Sequence, residues 1–224
     1  MTSIDLSNTV VVFDLDDTIY SENDYFLSGV NEILMTISLI YGDLAASKLL
    51  NYDFERNREK FLQDIVSILD LPLITMESLL WIYRLHTPKI ALSQSVAGVI
   101  SKLELCCKNL VILTDGRSIS QRQKIKALNL DHLPLYISEE YSSEKPDSLR
   151  YLKIMQDFPS SSYVYVGDNP AKDFMAPNVL NWGTIGLKGS INNIHSQKTD
   201  HFSAEYHPKK WINNLDEVFY ALCE

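Results

Sequence analysis

Four short stretches of the chain are apolar without alternation: VVVF from Val10, LVIL from Leu110, LPLYI from Leu133 and YVYV from Tyr163. A weaker fifth, WGTIGL, begins at Trp182. They are rich in β-branched and aromatic residues. Unbroken hydrophobicity suits strands covered on both faces, as in a parallel sheet. Between them the apolar residues recur at helical spacing: Val96, Val99, Ile100 and Leu103 within 93–106, Ile125 and Leu128 within 118–130, and Leu149, Leu152 and Met155 within 146–155. Strands alternating with helices predict an α/β fold, a doubly wound parallel sheet of Rossmann-like type.

One connection departs from this rhythm. Residues 21–88 carry no convincing strand; they read as SENDYFLSGVNEILMTISLIYG, DLAASKLL, FERNREKFLQDIVSILD and TMESLLWIYRLH, punctuated by Gly42, Pro72 and Pro88. A segment of that length is no ordinary loop. It predicts a helical-bundle cap inserted after the first strand, so that 1–20 and 89–224 form the core and 21–88 the cap. No internal repeat or low-complexity tract suggests a solenoid or fibrous alternative.

Composition narrows the function classes. The 224 residues are 46% hydrophobic and 22% charged, with a formal net charge of −9, an ordinary globular balance with an acidic bias. That bias argues against nucleic acid and anionic membranes as partners. It leaves room for an anionic small substrate, because a bound cation reverses the sign locally. The three cysteines, Cys106, Cys107 and Cys223, have no metal-type spacing and read as reduced thiols. No signal peptide and no long apolar run is evident, so a cytoplasmic protein is expected.

The candidate chemistry falls where the predicted strands end, which is where open parallel sheets carry their sites. After VVVF comes Asp14-Leu15-Asp16-Asp17-Thr18, and after LVIL comes Thr114-Asp115-Gly116-Arg117. Beyond the third strand lies Glu144-Lys145-Pro146, and after YVYV comes Gly167-Asp168-Asn169, with Asp173 further on. Each alone reads as a turn or a helix start. All four in order, at consecutive strand ends, do not.

The pattern DLDDT, TDG, EKP and GDNPAKD resembles the haloacid dehalogenase-like (HAD) hydrolase superfamily over essentially the whole chain, and the insert lies where that family carries its helical cap. Within the superfamily, TDGRSISQRQKIKAL and SSEKPD are most similar to N-acylneuraminate-9-phosphatase and related nucleoside monophosphatases. The resemblance implies a Mg²⁺-dependent phosphomonoester hydrolase acting on a small phosphorylated metabolite. Asp14 would be the nucleophile that forms an aspartyl-phosphate. Asp16 would be general acid toward the leaving oxygen and then base toward water; two apart on an extended segment, the pair shares a face. Thr114, with nearby backbone N–H groups, would hold phosphate oxygens, and Lys145 would neutralise the phosphate and Asp14. Asp168 would bind Mg²⁺ with the Asp14 carboxylate and the Asp16 carbonyl, and Asp173 would orient that cluster. Hard oxygen donors without clustered His or Cys favour Mg²⁺ over zinc.

Other residues weigh less. Asp17 lies on the opposite face and reads as structural. Asp115, Gly116 and Arg117 are candidates for substrate contact, each with a plain turn or helix-start reading beside it. Arg56, Arg58 and Lys60 read as a solvated face, His195 and Ser196 as loop residues near the site edge, and the WIYRL aromatics as packing for the helical bundle. A phosphomutase shares the phosphorylated Asp14, whereas a dehalogenase needs no acid at Asp16, since halide leaves unprotonated. A non-catalytic binding module would have lost key residues, and none is lost. A monomer or homodimer is expected.

Overall fold

The computed structural model describes residues 5–71, 74–189 and 197–223; His195 and Ser196 lie outside them. The chain falls into two compact units, Met1–Asn23 with Ala91–Glu224, and Asp24–Ile90.

The first unit is built on a six-stranded sheet: β1 (Thr9–Phe13), β2 (Asn109–Thr114), β3 (Leu135–Ile137), β4 (Ser162–Gly167), β5 (Gly183–Leu187) and β6 (Lys210–Ile212). Its order is β3-β2-β1-β4-β5-β6 and every pairing is parallel. The unalternating apolar runs have the expected cause: every residue of β1 is buried, so both faces favour apolar side chains. The one polar residue, Thr9, donates its hydroxyl to the Asp5 carbonyl at 2.8 Å. Val10, Val12, Val111, Leu113 and Tyr165 pack with Tyr151, Phe174 and Trp182 in one core cluster. The sixth strand was not anticipated. Its three residues, KWI, are too short to show a period and take their conformation from pairing with β5.

In the second unit and the segments flanking it lie α1 (Glu22–Tyr41), α2 (Asp43–Ser47), α3 (Phe61–Leu69) and α4 (Met76–Leu85). Phe26, Ile33, Ile37, Phe61, Ile65 and Leu79 form its core. Helix α3 is shorter than the periodicity of 54–70 suggested, because 54–60 are turns. Arg58 lies over the Phe26 ring, 4.4 Å from its centroid, rather than on a purely solvated face. Tyr83 packs edge-on against Tyr25 and Phe61, while Trp81 of the same helix is about half exposed at 53%.

The sheet unit then continues through α5 (Gln94–Cys106), α6 (Ser118–Ala127), α7 (Ser138–Tyr141), α8 (Leu149–Asp157), α9 (Met175–Val179) and α10 (Val218–Cys223). Ser93 caps α5 by accepting from the Val96 N–H. Helix α8 starts at Leu149 rather than Pro146, where the Asp147 carboxylate takes up the Leu149 N–H at 2.7 Å. Among the described residues no helix is long and apolar enough to cross a membrane.

Candidate active site

Between β1 and β4 the strand order switches direction, which in an open sheet leaves a crevice at the carboxyl ends. Asp14 enters it directly from β1, and its N–H donates to the Val166 carbonyl of β4 at 2.9 Å. Leu15 turns into the core, fully buried, and Asp16 returns to the crevice. The turn closes at Asp17, whose φ is 55°, and its carboxylate accepts the Glu22 N–H at 2.9 Å, capping the approach to α1.

A cavity of about 170 Å³ lies there, lined by Asp14, Asp16, Thr114, Asp115, Lys145 and Asp168, with Asp17, Glu22, Asn169 and Lys172 around them. At its floor the Lys145 ammonium donates to Asp14 Oδ1 at 2.7 Å, Asp173 Oδ1 at 2.6 Å and the Tyr165 hydroxyl at 3.1 Å. Asp173 is wholly buried, and its second oxygen accepts the Asn169 N–H at 2.8 Å. Gly167 makes this possible: a Cβ there would stand 2.4 Å from Asp173 Oδ2.

Carboxylate oxygens of Asp14, Asp168 and Asp173 lie within 4.8 Å of one another, all three residues buried. One ammonium faces three carboxyl groups, so the cluster carries surplus negative charge when ionised. Burial pushes the Asp14 carboxyl upward, outweighing the attraction of Lys145, and Asp173 and Asp16 add to the rise. Asp168 is pushed up to about 8 by burial and by the charges of Asp173 and Asp14. Lys145 is raised well above the usual ammonium range: burial opposes its charge, but Asp14 and Asp173 outweigh burial. A buried set of oxygen donors in which ionisation is disfavoured fits a hard divalent cation, which removes that penalty.

The electrostatics have a consequence for stability. A carboxyl held protonated in the fold but ionised when unfolded weakens the folded state as pH rises from the unfolded value of 3.8 toward about 8. In EDTA, the melting temperature is therefore expected to fall more between pH 5.5 and 8 in the wild type than in Asp168→Asn. Equal falls would show that Asp168 is not the source.

Asp16 has a different environment. The Lys124 ammonium donates to both its oxygens, at 2.8 and 2.9 Å, Gln121 Nε2 adds a bond at 3.2 Å, and the Tyr20 hydroxyl donates to Oδ1. Burial pushes the Asp16 carboxyl upward, but Lys124, Tyr20 and Gln121 outweigh it and hold the group below the usual range.

The structure therefore brings Asp14, Asp16, Thr114, Asp115, Lys145 and Asp168 to one cavity, with Asp173 behind it. Asp115 faces inward, yet its carboxylate is engaged: it accepts the Lys145 N–H at 3.2 Å and pairs with the wholly buried Arg150. Arg117 is not brought to the carboxylates. It pairs with Glu139 at 2.6 Å and, with Gly116, lines a separate cavity beside Ser138 and Ser142. The reason is local: Gly116, at φ 138°, turns the chain so that α6 starts with Arg117 directed toward α7.

Lys124, Gln121, Tyr20, Arg150 and Tyr165 were not singled out from the sequence. For two of them a signal exists, since Gln121 and Lys124 sit three apart on α6 and thus on one face.

The chain belongs to the haloacid dehalogenase-like hydrolases, whose family model matches residues 11–186. No curated protein matches it. Among solved structures it is similar to a HAD-hydrolase from Bacillus subtilis bound to magnesium, with 16% identity and a TM-score of 0.62, covering 96% of this chain and 99% of that one. It is also similar to a 2-haloacid dehalogenase from Pseudomonas syringae pv. tomato (17%, TM-score 0.61, 96% and 97%). A HAD phosphatase from Thermococcus onnurineus matches at 19% identity and a TM-score of 0.58, covering 96% and 97%. At these identities the likeness speaks for the shared fold.

Proposed function

We propose that the protein is a phosphomonoester hydrolase that works through an aspartyl-phosphate on Asp14. The observation that carries this reading is the placement of a second carboxylate, Asp16, in the same cavity as Asp14 and beside the Asp168–Asp173 cluster. Displacing halide requires a nucleophile but no proton donor, whereas an alkoxide leaves a phosphate ester readily only when protonated.

In this reading Asp16, ionised in the free enzyme, takes up a proton as the dianionic substrate enters beside it. The Asp14 oxygen not bonded to Lys145 then attacks phosphorus, and the ester oxygen leaves in line with it, taking that proton from Asp16. Asp16, now ionised and held by Lys124, accepts a proton from the water that attacks the Asp14 phosphoryl group. The Thr114 hydroxyl and Lys145 hold non-bridging oxygens; such transfer depends mainly on positioning and charge neutralisation. The Asp14 and Asp168 carboxylates and the Asp16 carbonyl would hold Mg²⁺, which would supply charge neutralisation when bound. Asp173 keeps Lys145 and the Asn169 backbone in place. The likeness of TDGRSISQRQKIKAL and SSEKPD to N-acylneuraminate-9-phosphatase and nucleoside monophosphatases favours a small metabolite, such as a sugar, sugar-acid or nucleoside monophosphate, over a phosphoprotein.

The test is a panel with Mg²⁺: sugar phosphates, an N-acylneuraminate 9-phosphate, nucleoside monophosphates, a phosphopeptide and a 2-haloacid. Phosphate release from the small esters without halide release from the haloacid is expected. Halide release alone would overturn the reading. On the same panel Asp16→Asn is expected to lower turnover of alkyl phosphates by about 10²–10⁴-fold and of an activated aryl phosphate much less. Equal losses on both would remove Asp16 as the proton donor.

A further inference from the structure

We propose that Lys124, supported by Gln121, is a positioning residue that fixes the Asp16 carboxylate in the orientation proton transfer requires. This rests on the reading of Asp16 as the acid and base of the reaction.

Asp16 lies in the loop beyond β1, and its side chain is 21% exposed, so packing alone does not immobilise it. Hydrogen bonds do so instead. Lys124 Nζ spans both oxygens, Gln121 Nε2 meets Oδ2, and the Tyr20 hydroxyl meets Oδ1. Donors to both oxygens from different directions set the tilt of the carboxylate as well as its place. A proton donor must stand within about 2.6–3.2 Å of its target, and a misplacement of about 1 Å costs on the order of 10²-fold in rate.

The surrounding structure is shaped to hold these donors. The Lys124 side chain is 5% exposed, a costly location for an ammonium unless its partners are fixed. Gln121 is anchored independently, donating to the Asp115 carbonyl at 2.8 Å. The turn that starts α6 yields space for it: a Cβ on Gly116 would stand 2.6 Å from Gln121 Nε2. The clamp thus ties the acid of the β1 loop to α6, across more than 100 positions of sequence, and through Gln121 to the loop after β2.

Mere neutralisation of Asp16 for folding would predict a stability defect and a uniform loss of activity. The positioning role predicts a selective loss. In Lys124→Met, kcat for β-glycerophosphate, an alkyl ester, is expected to fall about 10- to 100-fold, with KM within about twofold. The kcat for p-nitrophenyl phosphate should change by less than about threefold, since its leaving group needs little protonation. The double variant Asp16→Asn with Lys124→Met should be no slower than Asp16→Asn alone, because the clamp has then lost what it holds. Gln121→Leu should show the same selectivity at smaller amplitude, and it decides by the same criteria if Lys124→Met does not fold. Uniform losses on both substrates, or additive losses in the double variant, overturn the proposal. Asp16→Asn measured alongside separates the failures: if it falls equally on both esters, the proton-transfer reading fails and takes the proposal with it. A selective loss in Asp16→Asn without one in the Lys124 and Gln121 variants overturns the proposal alone.

Discussion

Replacing Asp14 with Asn is expected to abolish phosphate release while leaving the fold intact. The side chain keeps its size and hydrogen-bonding edge but loses the nucleophilic oxygen, so no covalent route remains. The usual cost of removing one partner of a buried ion pair is a stranded charge. Here Lys145 retains Asp173 at 2.6 Å and Tyr165 at 3.1 Å. The variant also removes a carboxyl group that burial disfavours in ionised form from a cluster of three. Its metal-free melting temperature at pH 7.5 should therefore equal or exceed that of the wild type. Turnover within about tenfold of wild type would remove Asp14 as the nucleophile, and a large drop in melting temperature would show that the Asp14–Lys145 pair outweighs the repulsion.

Exhaustive chelation is expected to reduce turnover to background, with Mg²⁺ restoring it and Ca²⁺ failing to. The donors converging on the cavity are oxygens, and the carboxylates outnumber the ammonium that faces them. A dianionic substrate therefore meets net repulsion until a cation is supplied. Mg²⁺ demands short, near-octahedral coordination, whereas Ca²⁺ accepts more ligands and lets a carboxylate bind through both oxygens, which would occupy the attacking atom of Asp14. Mg²⁺ should also raise the melting temperature of the wild type and do so far less in Asp168→Asn. Full activity in EDTA would exclude the ion from the reaction.

How much of this was legible in the sequence depends on where the information lies. VVVF, LVIL and YVYV announced their strands because burial on both faces leaves an unbroken apolar run. Asp14, Thr114 and Asp168 were legible for a related reason, each standing at the end of such a run where polar residues need a purpose, whereas Lys145 follows β3 only after α7. The three-residue β6 has no period to read, and its conformation belongs to its neighbour. Lys124 and Arg150 escaped because they lie within helices read for their apolar faces. Their meaning comes from acceptors distant in the chain: Asp16 lies 108 positions from Lys124 and Asp115 lies 35 from Arg150. Arg117 stands apart from the carboxylates for the converse reason: close to Thr114 in sequence, it is carried by the turn at Gly116 to Glu139.

Arg150 carries a consequence for how this chain can drift. Its wholly buried guanidinium donates to the Thr114 carbonyl at 2.8 Å, to the Tyr136 carbonyl at 3.3 Å and to the Asp115 carboxylate. That carboxylate in turn receives the backbone N–H of Lys145. Three acceptors set at fixed angles suit a planar fork and not the single ammonium of lysine. The commonest conservative exchange is thus closed at this position, and with it the gradual routes that pass through lysine. Relatives that keep an aspartate after the β2 threonine should retain arginine here, and those that have lost one should have lost the other, so the pair offers a two-letter marker for sorting lineages.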